Sequence, residues 1–116
     1  MARFDGIATY MMASCPGGII YTGSTSDLSS RVFQHKNRTF DGFSARYGCT
    51  MLVWFEWHAE IGAAVHRERL LKHWLRAWKI RLIQEANPEW RDLADDWWPE
   101  STWDFDGSHE RRLRGE

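Results

Sequence analysis

The stretch from Ile19 to Asn37, IIYTGSTSDLSSRVFQHKN, restricts what this chain can fold into more than any other. Ile19, Ile20 and Tyr21 are β-branched or aromatic, with a Gly pair before them and Gly23 after, which is strand chemistry between breakers. Ser24, Thr25, Ser26 and Asp27 then suit a turn and offer helix caps. In the helix that follows, at about 100° per residue, Leu28, Arg31, Val32 and His35 share one face. Two of these are apolar, as a core-facing stripe should be; the others are a guanidinium and an imidazole. A tyrosine at a strand end, a cation and an imidazole would then converge on one place, which suits an anion. The plain alternative is a solvated arginine and a satisfied structural histidine.

Upstream, residues 7–13 (IATYMMA) read as a first strand, and Ser14-Cys15-Pro16-Gly17-Gly18 as the turn of a hairpin. Tyr10 and Tyr21 would be neighbours on one sheet face, as catalytic groups or as plain packing residues. A polar loop is expected from Lys36 to Gly42, followed by Phe43-Ser44-Ala45-Arg46-Tyr47-Gly48. Residues 50–57 (TMLVWFEW) form the clearest strand, so apolar that it reads as a central buried one.

Residues 59–78 read as one long helix with Ile61, Ala64, Val65, Leu71, Leu75 and Trp78 as its apolar stripe. Glu68 lies within that stripe, where a carboxylate is costly unless it is paired or holds a cation. Arg31 and Lys72 are the available ion-pair partners, and a metal ion is the alternative. Residues 79–86 continue helical after a kink, until Asn87-Pro88 ends the run.

Several of these segments together resemble the GIY-YIG nuclease family. Tyr21-Thr22-Gly23 is similar to the second half of that name, and Asp27, Leu28, Arg31 and His35 to the family's first helix. The first half falls on Ala8-Thr9-Tyr10, where only the tyrosine is kept. Arg67-Glu68-Arg69 sits where the family carries its glutamate. His73-Trp74, Ala77-Trp78-Lys79-Ile80 and Asn87-Pro88-Glu89-Trp90-Arg91-Asp92-Leu93 resemble small single-domain members. The resemblance runs from about residue 7 to residue 96.

It implies an α+β domain with a small three-stranded antiparallel sheet flanked by helices, and a divalent-metal-dependent endonuclease. Tyr10 or Tyr21 would act as general base or orient a water, Arg31 would bind the phosphate, and His35 would contact it or relay a proton. Glu68 would hold Mg²⁺ or Mn²⁺; Asn87 is a weaker candidate. Arg46, Arg67, Arg69, Lys72, Arg76 and Lys79 are candidate contacts to nucleic acid, each with a solvated surface residue as the alternative. The expected partner is DNA, without RNA being excluded, in a repair or recombination setting. With no separate DNA-binding domain expected, specificity would be low, would follow substrate shape, or would come from a protein partner. A non-catalytic nucleic-acid-binding module on the same scaffold is the alternative from another class, and a protein-interaction domain acting through its tryptophans is a third.

Charge and composition are compatible with this. Residues 1–92 carry 12 basic and 9 acidic side chains, whereas residues 93–116 carry 3 and 7, so a mildly basic body precedes an acidic end. At 116 residues and 43% hydrophobic the chain suits one domain with a real core. Residues 1–96 are expected to form it, with an acidic, tryptophan-containing, mostly disordered tail at 97–116 able to fold back over the basic surface. No apolar run approaches membrane-span length, so a cytoplasmic protein with no membrane partner is expected. Cys15 and Cys49 are expected to be free, buried thiols rather than a disulfide or a metal site.

Overall fold

A computed structural model describes residues 5–37 and 42–98. The elements run β1 (Ala8–Ala13), β2 (Ile20–Thr25), α1 (Leu28–Lys36), α2 (Phe43–Arg46), β3 (Met51–Trp57), α3 (Ile61–Lys72) and α4 (Arg76–Ala86). The three strands form an antiparallel sheet in the order β2-β1-β3. This is the expected α+β architecture.

Strand alternation divides the sheet's side chains between two cores. Ala8, Tyr10 and Met12 face one side, where α1 supplies Leu28 and Val32. Met11 and Ala13 face the other, with Leu71 of α3 and Ile83 of α4. Every residue of β1 is buried. β1, not β3, is therefore the central strand, which corrects the reading of residues 50–57. β3 is apolar because both of its faces are buried, Leu52 in one core and Val53 and Trp54 in the other, and a closing segment runs along its outer edge. Asn87 Nδ2 donates to Val53 O at 3.1 Å, Leu93 N to Leu52 O at 2.7 Å, and Leu52 N to Asp92 Oδ1 at 3.1 Å. These bonds satisfy backbone groups that would otherwise leave a sticky edge. Trp90 takes a left-handed backbone (φ 56°) within this segment and buries its indole.

Asp27 caps α1, its carboxylate accepting from Ser30 N at 3.3 Å. Ser24 and Thr25, expected in the turn, instead extend β2. Lys36, expected in a loop, closes α1 and is buried, paired with Asp92 and donating to Thr50 O at 3.0 Å.

The long helix is two helices. α3 stops at its C-cap His73 and the chain restarts after Leu75. The turn lets Trp74, Ile80 and Ile83 return to the core that Leu71 already occupies, which a straight helix could not do. The proposed stripe shortens accordingly: Ala64 and Leu71 are buried, whereas Ile61, Leu75 and Trp78 are exposed.

Cys49 is buried and Cys15 exposed, and neither forms a disulfide, so only one matches the expectation of a buried thiol. Trp97 and Trp98 pack against the α1-side core, Trp97 on Phe55 and Trp98 on Phe33. The rest of the expected tail, residues 99–116, lies outside the described residues. Among the described residues no helix is long and apolar enough to cross a membrane.

Candidate active site

The hairpin register sets Tyr10 opposite Gly23 and Met12 opposite Tyr21, so both tyrosines share the α1 face. Their ring centroids are 6.2 Å apart. Tyr10 is fully buried and lays its phenol across β2 at Gly23. A Cβ on Gly23 would lie 2.7 Å from Tyr10 Oη and 2.8 Å from Cζ, so only glycine admits the phenol here.

α1 brings His35 beneath this hydroxyl: Tyr10 Oη and His35 Nε2 are 2.7 Å apart, and His35 Nδ1 is 2.6 Å from Ser44 Oγ. Ser44 in turn donates to Cys49 O at 3.3 Å. That bond uses the Ser44 proton, so Ser44 Oγ accepts from Nδ1–H. Nε2 is then left to accept from the Tyr10 hydroxyl. Burial, helped by the Arg31 charge, pushes His35 down to about 4, so its ring is neutral at physiological pH. Burial also raises the Tyr10 phenol well above the ordinary tyrosine range; Tyr21 and Glu68 add to this and Arg31 opposes it.

Glu68 reaches the same edge of β2 from the other face of the sheet. Ser24, opposite Thr9 in register, donates its hydroxyl to Glu68 Oε1, and Lys72 Nζ lies 2.6 Å from Oε2. Of the two partners considered, it is therefore Lys72 that pairs with Glu68. The Glu68 side chain is 18% exposed and that of Lys72 50%, so this is a half-open pair. Glu68 is close enough to Tyr10 to raise the phenol's hold on its proton.

The other candidates scatter. Arg67 pairs with Glu56 (3.0 Å), its guanidinium 5.9 Å from the Trp54 ring centre and 5.6 Å from that of Trp74. Arg76 donates to Gly17 O and Gly18 O, at 2.8 and 2.7 Å, bracing the hairpin turn. Arg69 is exposed on α3, and Arg46 is exposed with its guanidinium 5.9 Å from the Tyr47 ring centre. Lys79 lines a cavity with Lys72 and Tyr21. Asn87 is buried at the β3 edge and also exchanges bonds of 2.8 and 2.9 Å with the Arg91 backbone.

Ser24 and Ser44 are not among the site residues expected from the sequence. Ser24 had a signal: one residue past Gly23, it faces away from Tyr10 and toward whatever covers the other face. Ser44 had none, because its partner depends on how residues 43–49 fold back over α1.

His35 makes stability pH-dependent. Its folded value, about 4, lies below the ordinary 6.5, so in between the unfolded chain binds a proton that the folded chain does not. The stabilisation is complete above about pH 6.5 and is lost as pH falls toward 4, roughly 3 kcal/mol in all. The melting temperature should fall over that window, and the His35 Hε1 NMR signal should stay in its neutral position down to pH 5. A midpoint near 6.5 would contradict the buried relay.

The GIY-YIG catalytic domain matches residues 7–81. A UPF0213 protein from Aeromonas salmonicida is 34% identical over 80 residues, 69% of this chain and 58% of that protein. The chain thus spans less than two thirds of that relative's length. UPF0213 proteins from two strains of Staphylococcus epidermidis are 30% identical over 75 residues, 65% of this chain and 92% of theirs. No solved structure matches the chain significantly. With its domain match over most of the folded residues, the chain belongs to the GIY-YIG catalytic domain family.

Proposed function

We propose that this protein is a divalent-metal-dependent endonuclease that hydrolyses phosphodiester bonds in DNA, with low sequence specificity or recognition of substrate structure. The observation that supports it best is the meeting of a buried tyrosine–histidine relay with a carboxylate at the β2 edge. Tyr10 donates its proton to His35 Nε2, so its oxygen can accept one from an attacking water as its own moves to the neutral imidazole. Tyr21, less buried, orients that water. Arg31 offers a bidentate contact to the phosphate oxygens.

Glu68 suits a hydrated divalent ion. Among the described residues no cluster of three His, Cys, Asp or Glu side chains forms a ready-made metal cage. One carboxylate is nonetheless enough for Mg²⁺, which keeps several waters and takes the rest of its shell from substrate phosphate. Oε1 and Oε2 each accept one bond in this structure and retain capacity for another. When bound, Mg²⁺ or Mn²⁺ would offset charge on the phosphoryl oxygens and lower the pKa of a coordinated water. A cytoplasmic setting and a role in DNA repair or recombination belong to the same proposal.

The Lys72 ammonium on Glu68 is the observation that favours the runner-up, a non-catalytic nucleic-acid-binding module. Incubating labelled single-stranded, duplex and flapped DNA, and RNA, with Mg²⁺ or EDTA separates the two. Cleavage in Mg²⁺ alone supports the nuclease; binding without cleavage supports the module.

Either reading needs phosphate contacts from Arg46, Arg69, Lys72 and Lys79. DNA affinity should then fall steeply with salt, the log–log slope growing by roughly 0.9 per contact. An affinity unchanged between 50 and 200 mM salt would remove this surface from the account.

A further inference from the structure

Beside the relay, a cavity of about 290 Å³ opens at the free edge of β2, lined by Ile20, Tyr21, Thr22, Phe43, Lys72 and Lys79. We propose that it is a subsite for one unpaired nucleotide flanking the scissile phosphate, so that strands with unpaired bases are preferred over continuous duplex. This rests on the nuclease reading above and names its substrate class.

The cavity carries both chemistries a nucleotide needs. Phe43 is 49% exposed although it is a large apolar ring, and Tyr47 beside it is 44% exposed. Their ring centres are 4.8 Å apart, and Phe43 lies 6.4 Å from Tyr21. A file of aromatic rings therefore leads from the Tyr10 phenol outward to solvent, with the Arg46 guanidinium at its end. Lys72, whose ammonium pairs with Glu68, and Lys79 also line the cavity. Burial first, and then the charges of Arg76 and Lys72, weakens the hold of Lys79 on its proton; a bound anion would offset the part due to those two charges. The Thr22 hydroxyl, on a residue 5% exposed, has no hydrogen-bond partner among the described residues. A buried hydroxyl left so is costly unless a ligand completes it.

Cations alone would suit any phosphate backbone. The exposed ring faces are what select an unpaired base, because in a duplex each base face is already covered by its neighbours. Stacking on an aromatic ring is tolerant of sequence, so the subsite would confer preference for strand state rather than for sequence.

The test compares single-stranded, 5′-flap and continuous duplex oligonucleotides, each with 2-aminopurine in the strand. Binding is read by fluorescence in EDTA and cleavage in Mg²⁺. The wild-type chain should favour unpaired over duplex substrate by roughly 5- to 100-fold, with 2-aminopurine quenched on binding. Phe43→Leu should bring the ratio toward one and relieve the quenching; Phe43→Trp should keep both. Phe43→Trp carries the test even if Phe43→Leu disturbs α2, and Lys79→Gln should lower the salt slope for single strands by roughly 0.7. Equal handling of both substrates by the wild type, or an unchanged ratio and quenching in Phe43→Leu, would overturn the proposal. Phe43-dependent binding of single strands in EDTA with no cleavage in Mg²⁺ would uphold the subsite and reject the nuclease.

Discussion

Tyr10→Phe is expected to fold like the wild type and to lose nucleic-acid cleavage by two to four orders of magnitude, the range a positioned acid–base group contributes. The substitution keeps the ring and therefore its packing over Gly23. It removes the hydroxyl that meets His35 Nε2 at 2.7 Å, so the water's proton has no route to the imidazole. His35 Nε2 is left buried without that donor, at a cost of about 1–3 kcal/mol. Single-turnover cleavage and a denaturant melt measure the two effects separately. A variant that cuts within a few-fold of wild type would move the proton acceptor away from Tyr10, with Tyr21 the remaining phenol on that face.

Glu68→Gln should have the other large effect. Cleavage in Mg²⁺ should fall by several orders of magnitude while DNA binding in EDTA persists, because the amide is a poor ligand for a hard cation. Stability should hardly change. Gln can still accept from Ser24, and the lost partner, Lys72, is half exposed, so the pair resembles a surface ion pair worth about 0–1 kcal/mol. The roughly 3–5 kcal/mol expected on breaking a fully buried pair does not apply to this geometry. Activity, more than melting temperature, therefore decides what Glu68 does. A destabilised variant that still cuts would make the carboxylate structural.

Much of this arrangement is legible in the sequence where local pattern and tertiary role agree. The β1–β2 hairpin, the Asp27 cap and the Leu28, Val32 and His35 face of α1 follow from period and turn chemistry. Where a residue's environment comes from a distant segment, pattern misleads. β3 is an edge strand whose two faces are both buried and whose outer edge is bonded by residues 87–93, and apolarity alone cannot distinguish that from a central strand. The α3–α4 break has no proline or glycine to announce it; it arises because Trp74 and Ile83 must both reach one core. Ser24 looks like a turn residue until α3 is laid over it. Gly23 looks like a breaker, yet its function is to leave room for a phenol from the neighbouring strand. Such contacts depend on strand register, which sequence leaves weakly determined.

The most direct measurement is nicking of supercoiled plasmid by the purified full chain, with Glu68→Gln prepared alongside. The account predicts conversion to open circles in Mg²⁺ by the wild type, none in EDTA, and none by the variant in either. Nicking that persists in EDTA, or that both proteins perform equally, would contradict a metal-dependent site built on Glu68.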